Sequence, residues 1–167
     1  MVKRLIVRCL PRRRIACAPA LALALAVMGS SALAQTTSWN ATGNGTWNQN
    51  ANWTNNAPTG NVTVTLGNGN LTQNPVISLN GASGNSGNIT VSASTFDYTI
   101  KQDNNESLGL SVTTGTPTID VVAANRTFTI DATLTGTQGF VKSGAGALVI
   151  TANSTITGNV TLSSGTL

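Results

Sequence analysis

Histidine is absent from these 167 residues, and charged side chains make up only 8% of them. Without histidine, Ser-His and Cys-His nucleophile devices cannot be assembled, and a His-ligated zinc is excluded. Both cysteines, Cys9 and Cys17, fall in the opening segment. Whatever follows that segment is therefore not a scaffold stapled by disulfides. Past residue 35 there is no Glu/Lys/Leu-rich pattern of 3.6-residue period, which argues against helices.

The opening segment accounts for most of the basic charge. Lys3, Arg4, Arg8, Arg12, Arg13 and Arg14 precede an apolar run from Ile15 to Met28, and Ala32-Leu33-Ala34 follows as a small-x-small site. This order predicts a cleaved, helical signal peptide over 1–34, cut between Ala34 and Gln35. The apolar run also holds Pro19 and falls short of the ~20 residues needed to span a bilayer. After cleavage three bases, Lys101, Arg126 and Lys142, stand against five acids, Asp97, Asp103, Glu106, Asp120 and Asp131, for a net charge of −2. No basic patch remains for nucleic acid.

What is present is alternation. In Asn61–Leu66, Val62, Val64 and Leu66 share one face while Thr63 and Thr65 take the other, as successive side chains of a half-buried strand do. Val76–Leu79 and Ile89–Val91 read as further short strands. Phe96, Tyr98 and Ile100 alternate with Asp97, Thr99 and Lys101, and Phe128, Ile130, Ala132 and Leu134 alternate with threonines and Asp131. Gly67–Asn70 and the small-residue stretch 80–88 read as turns within one domain. The apolar pairs Leu108 with Leu110, Phe128 with Ile130, and Leu148 with Ile150 recur at equal steps along the chain. A constant step of ~20 residues predicts stacked coils with these pairs one above another, and Ile119 with Val121 and Val160 with Leu162 as another wall. The same stacking places Asp120 over Phe140 and Asp131 over Thr151, so that no carboxylate sits on another and a glycosidase-type acid pair has no place.

Residues 136–167 read GTQGFVKSGAGALVITANSTITGNVTLSSGTL. Gly144 and Gly146 bracket Ala145 at a corner, where residues without Cβ let the chain turn sharply. Lys142, Ser143, Gly144, Gly146, Leu148, Ile150, Thr151, Asn153, Gly158, Gly165, Thr166 and Leu167 occupy their expected positions in a motif of glycines, one lysine and alternating leucines. The stretch resembles the autotransporter-associated β-strand repeat. It departs from that pattern at Phe140, where leucine is usual, at Ile156, where an aromatic is common, and at Asn159, where a second glycine is frequent. The resemblance implies an exported, β-helical, non-enzymatic passenger. It also implies a C-terminal outer-membrane barrel not contained in these residues, and a structural role for Lys142.

All three tryptophans, Trp39, Trp47 and Trp53, lie in 35–60, and with Gly45, Asn52 and Pro58 the stretch is similar to the start of many such passengers. Two readings compete. Exposed indoles would stack on sugar rings; buried ones would close the first coil as a cap, since the terminal unit of a solenoid must differ from internal ones. The scarcity of charged partners around them favours the cap. The loop 101–107 gathers Asp103, Asn104, Asn105 and Glu106. Its adjacent ligands and lack of an internal glycine fit a solvated turn better than a calcium site.

The expected protein is all-β: a right-handed parallel β-helix over 61–167, with a Trp-rich cap over 35–60, after the signal peptide 1–34. Its expected role is a non-catalytic, adhesin-like stalk at the bacterial surface or outside the cell, without cofactors. Its partners would be the export machinery, the barrel, and a glycan or protein on a host or neighbouring cell. The alternatives are a secreted carbohydrate-binding or polysaccharide-degrading β-helix, and a matrix component held by a sorting segment. An end at Leu167 with nothing charged to cap the last coil predicts a fragment.

Overall fold

A computed structural model describes residues 35–67, 70–92 and 95–167. The signal-peptide expectation for 1–34 and the middle of the Gly67–Asn70 turn lie outside the described residues. Within them, runs of alternating apolar and hydroxyl side chains form fifteen short strands. β1 (Thr36–Ser38) and β2 (Gly45–Thr46) begin the winding, followed by β3 (Thr63–Leu66), β4 (Val76–Ser78) and β5 (Gly84–Ser86). Next come β6 (Ile89–Val91), β7 (Tyr98–Lys101) and β8 (Ser107–Leu110), then β9 (Thr118–Val121), β10 (Thr127–Asp131) and β11 (Thr133–Gly136). β12 (Phe140–Ser143), β13 (Ala147–Ile150) and β14 (Ser154–Ile156) form the last full turn, and β15 (Val160–Leu162) starts another.

Three parallel walls result, ordered β1-β3-β6-β9-β12-β15, β2-β4-β7-β10-β13 and β5-β8-β11-β14. From β3 onward the chain visits the three walls in the same cyclic order, while the first winding places strands in the first two only, and the whole winds as a parallel β-solenoid of about five turns. No α-helix occurs among the described residues; a single 3-10 turn sits at Asn50–Asn52. The stretch 80–88 is more than a corner, because its Gly84–Ser86 forms β5, the first strand of the third wall.

The core consists of rows running along the axis. Ile77, Ile100, Ile130 and Ile150 stack through consecutive turns of the second wall, beside Tyr98, Phe128 and Leu148. Val64, Ile89 and Ile119 form a row of the first wall, and Leu108 stacks on Leu134 in the third. A single turn buries only one side of each row, so stacking is what removes the apolar surface from water. The run Phe128–Leu134 keeps its alternation across the bend from β10 to β11, with Phe128, Ile130, Ala132 and Leu134 all fully buried.

The constant step expected from sequence holds only in the last turn, where Phe128 meets Leu148, Leu134 meets Ser154 and Phe140 meets Val160. Phe128 does not sit on Leu108; it sits on Tyr98, a longer step back along the chain, while Leu108 belongs to another wall. The reason lies at the corners. Residues 111–117 link β8 to β9, whereas residues 137–139 alone link β11 to β12. Extra loop residues bulge outward at small entropic cost while the wall register is kept. Ser143, not Phe140, accordingly pairs with Asp120, whereas Thr151 does hydrogen-bond Asp131, Oγ1 to Oδ1 at 2.6 Å. At the Gly144 corner φ is +73°, and a Cβ there would lie 2.2 Å from the Val121 carbonyl oxygen. Both facts require glycine.

Candidate functional site

Three places concentrate side chains that composition singles out: the tryptophan turn, the Glu106 loop and the Lys142 corner. Trp39, Trp47 and Trp53 are all buried, at 1%, 0% and 4% exposure. Trp53 meets both other rings edge to face at centroid distances of 5.1 Å, and its Nε1 donates to the Trp47 carbonyl at 2.7 Å. Stacking on a sugar requires an open ring face, and burial leaves none of the three rings one. The glycan-stacking expectation for these residues therefore meets an enclosed cluster. Trp47 packs under Gly84 at the start of the third wall, where a Cβ would come within 3.1 Å of its ring.

The loop 101–107 corrects the solvated-turn expectation at one residue. Glu106 is buried, and its carboxylate accepts from the backbone N–H groups of Gly81 at 2.7 Å, Asp103 at 2.8 Å and Asn104 at 2.7 Å. These donors, Asn104 first and Gly81 next, lower its pKa to about 2. The carboxylate thus ties one turn to the next. Sequence reasoning missed it, although Glu106, Leu108 and Leu110 are spaced by two and so share the inner face. Among the described residues no group of three His, Cys, Asp or Glu is placed to hold a metal ion.

A test of the Glu106 tie is acid titration. Because the folded pKa is depressed, the ionised carboxylate's contribution is present above the unfolded value near 4.5 and is lost as pH falls through about 2. Glu106→Gln is expected to flatten the loss of stability across that window in urea unfolding followed by circular dichroism. An unchanged slope would mean that other groups govern the acid limb.

Lys142 is fully buried and occupies the inner row between Ile119 and Leu162. Its ammonium donates to the carbonyls of Ser143 at 2.5 Å, Gly144 at 3.0 Å and Ser164 at 3.3 Å. Burial lowers its pKa, opposed by the carboxylate of Asp120. The spacing Phe140, Lys142 already placed it inward, which is the signal the repeat motif alone did not give.

The outside carries polar columns. Ser78, Lys101, Asp131 and Thr151 align on the second wall, with Lys101 3.6 Å from Asp103. Arg126 lies 3.7 Å from Asp97 and donates to the Thr95 carbonyl. An open groove of about 430 Å³ follows the third wall, with Asn85, Gly109, Thr135 and Thr155 in one column and Thr137 and Thr157 beside it. These groups supply hydroxyls and amides but no acid–base pair.

The comparisons place a similarity beside this geometry. The chain is similar to part of an autotransporter adhesin. Over 81 residues, 47% of this chain, it is 42% identical to the adhesin BmaC autotransporter of Brucella suis biovar 1 (strain 1330). The chain spans 2% of that adhesin's length. No protein-family model matches the chain, and no solved structure matches it. The similarity and the parallel β-solenoid together fit an autotransporter passenger.

Proposed function

We propose that this chain is the N-terminal part of an exported autotransporter-type surface protein, acting as a rigid, adhesin-like β-helical stalk without catalytic activity. The observation that carries the reading is the 42% identity to an autotransporter adhesin in a chain that winds as a parallel solenoid. Buried rows and backbone ladders give such a body its stiffness. Residues 1–34 direct export with cleavage between Ala34 and Gln35, 35–60 act as the cap, and 61–167 form the stalk with the repeat at 136–167. The cap reading draws support from the buried indoles and from the segment 52–55, which hydrogen-bonds along β1. The partners in this reading are the export machinery, an outer-membrane barrel and a glycan or protein on another cell.

Display tests it. Joined after Leu167 to an outer-membrane barrel and produced in a Gram-negative host, the chain should be reached by external antibody, begin at Gln35, and promote attachment of cells to a host-cell layer. Retention in the cytoplasm with residues 1–34 intact would reject export, and surface display without added attachment would reject the adhesive role.

A further inference from the structure

Asparagine precedes glycine at Asn44, Asn68 and Asn80. Such a step can deamidate: the glycine nitrogen bonds to the asparagine Cγ and gives up its proton to a solvent base, while the side-chain amide leaves as ammonia. Water then opens the five-membered imide, at one carbonyl to aspartate and at the other to isoaspartate. One water enters and one ammonia leaves. Glycine favours the reaction because it has no Cβ to hinder the approach of its nitrogen. Asn68 and Gly69 lie outside the described residues; the other two steps are held in different ways.

Asn44 is held by its side chain. Its Oδ1 accepts from the Val76 N–H at 2.9 Å and from Gln73 Nε2 at 3.2 Å, so its amide is anchored at the start of β4. Gly45 is tied as well, since it lies in β2 opposite Ile77. Asn80 has no such anchor. It is exposed between β4 and β5, and among the described residues its side chain has no hydrogen-bond partner. The Ala82 N–H donates to the Leu79 carbonyl at 3.2 Å, which makes Asn80 and Gly81 the central pair of a turn. The φ of Gly81, +81°, is the value that a type II turn requires at its third residue.

What restrains this second step is a carboxylate from the next winding. The Gly81 N–H donates to Glu106 Oε1 at 2.7 Å, and the N–H groups of Asp103 and Asn104 fix the other oxygen of the same carboxylate. The species that attacks Cγ is the glycine nitrogen without its proton. Forming it here would break a hydrogen bond to a charged group and set an anion against a carboxylate, and both effects oppose ionisation. We infer that Asn80 is a deamidation site kept latent by Glu106, and that its conversion irreversibly releases the tie between the two windings. A carboxylate at position 80 would add a like charge beside the residue that donates to Glu106. Isoaspartate would insert a methylene into the backbone ahead of Gly81 and carry its N–H away from Oε1.

Ageing of the purified chain in mildly alkaline buffer, followed by peptide mass mapping and isoaspartate detection, tests this. The parent should keep Asn80 intact, whereas Glu106→Ala should convert it about 10- to 100-fold faster, the factor that loss of one hydrogen bond to a charged group sets. Glu106→Gln, which keeps an acceptor oxygen but removes the charge, should fall between the two. Asn44 serves as the control within each sample, because its anchors do not involve Glu106. Converted chains should lose hydrogen-exchange protection at Gly81, Asp103 and Asn104. Parent rates at Asn80 in both variants, an equal acceleration at Asn44, or full protection of those three amides after conversion would each overturn the inference.

Discussion

Trp53→Ala is expected to lower the folding free energy by about 3–5 kcal/mol, the range for removing a large aromatic from a packed core. The side chain is 4% exposed and forms the hinge of the indole cluster, touching Trp39 at an interplanar angle of 83° and Trp47 at 72°. Its truncation opens a cavity and removes two edge-to-face contacts, each worth about 0.5–1.5 kcal/mol beyond area burial. Trp53 is also the indole whose N–H is bonded, to the Trp47 carbonyl, whereas the Trp39 and Trp47 N–H groups have no hydrogen-bond partner. Loss of Trp53 therefore takes packing and a buried hydrogen bond together, and leaves the Trp47 carbonyl without its donor. The neighbouring segment 52–55 lies along β1, so the N-terminal edge should open as the cluster loosens. Urea unfolding followed by both fluorescence and circular dichroism measures the effect. A change below about 1 kcal/mol, within the ordinary spread of single substitutions, would mean that the cluster is an ornament on a solenoid stable without it. Trp53→Phe, which keeps an aromatic edge but no N–H, should fall between the two.

Much of this architecture could be read from alternation alone. Val62, Val64 and Leu66, then Tyr98 and Ile100, then Phe128 to Leu134 are buried as their period-2 spacing requires. Side-chain direction on a strand is fixed locally, by the pleat. Which strand lies on which is not local. The last turn could be placed because its corners are short and uniform, so a constant step reports the register. From Leu108 to Phe128 the step is the same as from Phe128 to Leu148, but the longer 111–117 loop takes up part of it, and the two leucines of β8 go to the third wall. The row of Ile77, Ile100, Ile130 and Ile150 escaped notice for the same reason, since no two of its steps along the chain are equal. Glu106 and Lys142 were legible in position but not in consequence. Spacing puts both on the inner face, while one backbone partner of each comes from a neighbouring turn, Gly81 for Glu106 and Ser164 for Lys142. The tryptophans reverse the lesson: two readings fit the sequence, and the burial of all three indoles is an observation that spacing alone does not supply.

Lys142→Met offers the sharpest probe of that inner face. An isolated buried ammonium is costly, and exchange of a buried ion for an apolar side chain of similar size is often neutral or stabilising when its partners are replaced as well. Here the partners are the carbonyls of Ser143, Gly144 and Ser164, which no side-chain substitution removes. Methionine would relieve the desolvation of the ammonium and take its donor from the Ser143 and Ser164 carbonyls, while the Gly144 carbonyl keeps the Ser164 hydroxyl. Leaving even one buried polar group unpaired costs about 1–3 kcal/mol, so the net effect expected is destabilisation of about 1–3 kcal/mol. Lys142→Ala adds a cavity in the row between Ile119 and Leu162 and should lose about 2–5 kcal/mol. The pH dependence carries the sign of the pKa shift. Burial holds the folded pKa below the usual 10.5, so between those two values the unfolded chain binds the proton more strongly. Stability contributed by this group therefore rises with pH through that window and levels off above 10.5. Lys142→Met should abolish the alkaline rise, and hydrogen exchange should show the opening confined to Ser163–Thr166, whose backbone leans on the Lys142 corner. A methionine variant as stable as the parent, with Ser163–Thr166 equally protected, would show that the backbone turn at Gly144 holds the final coil without the ammonium at its centre.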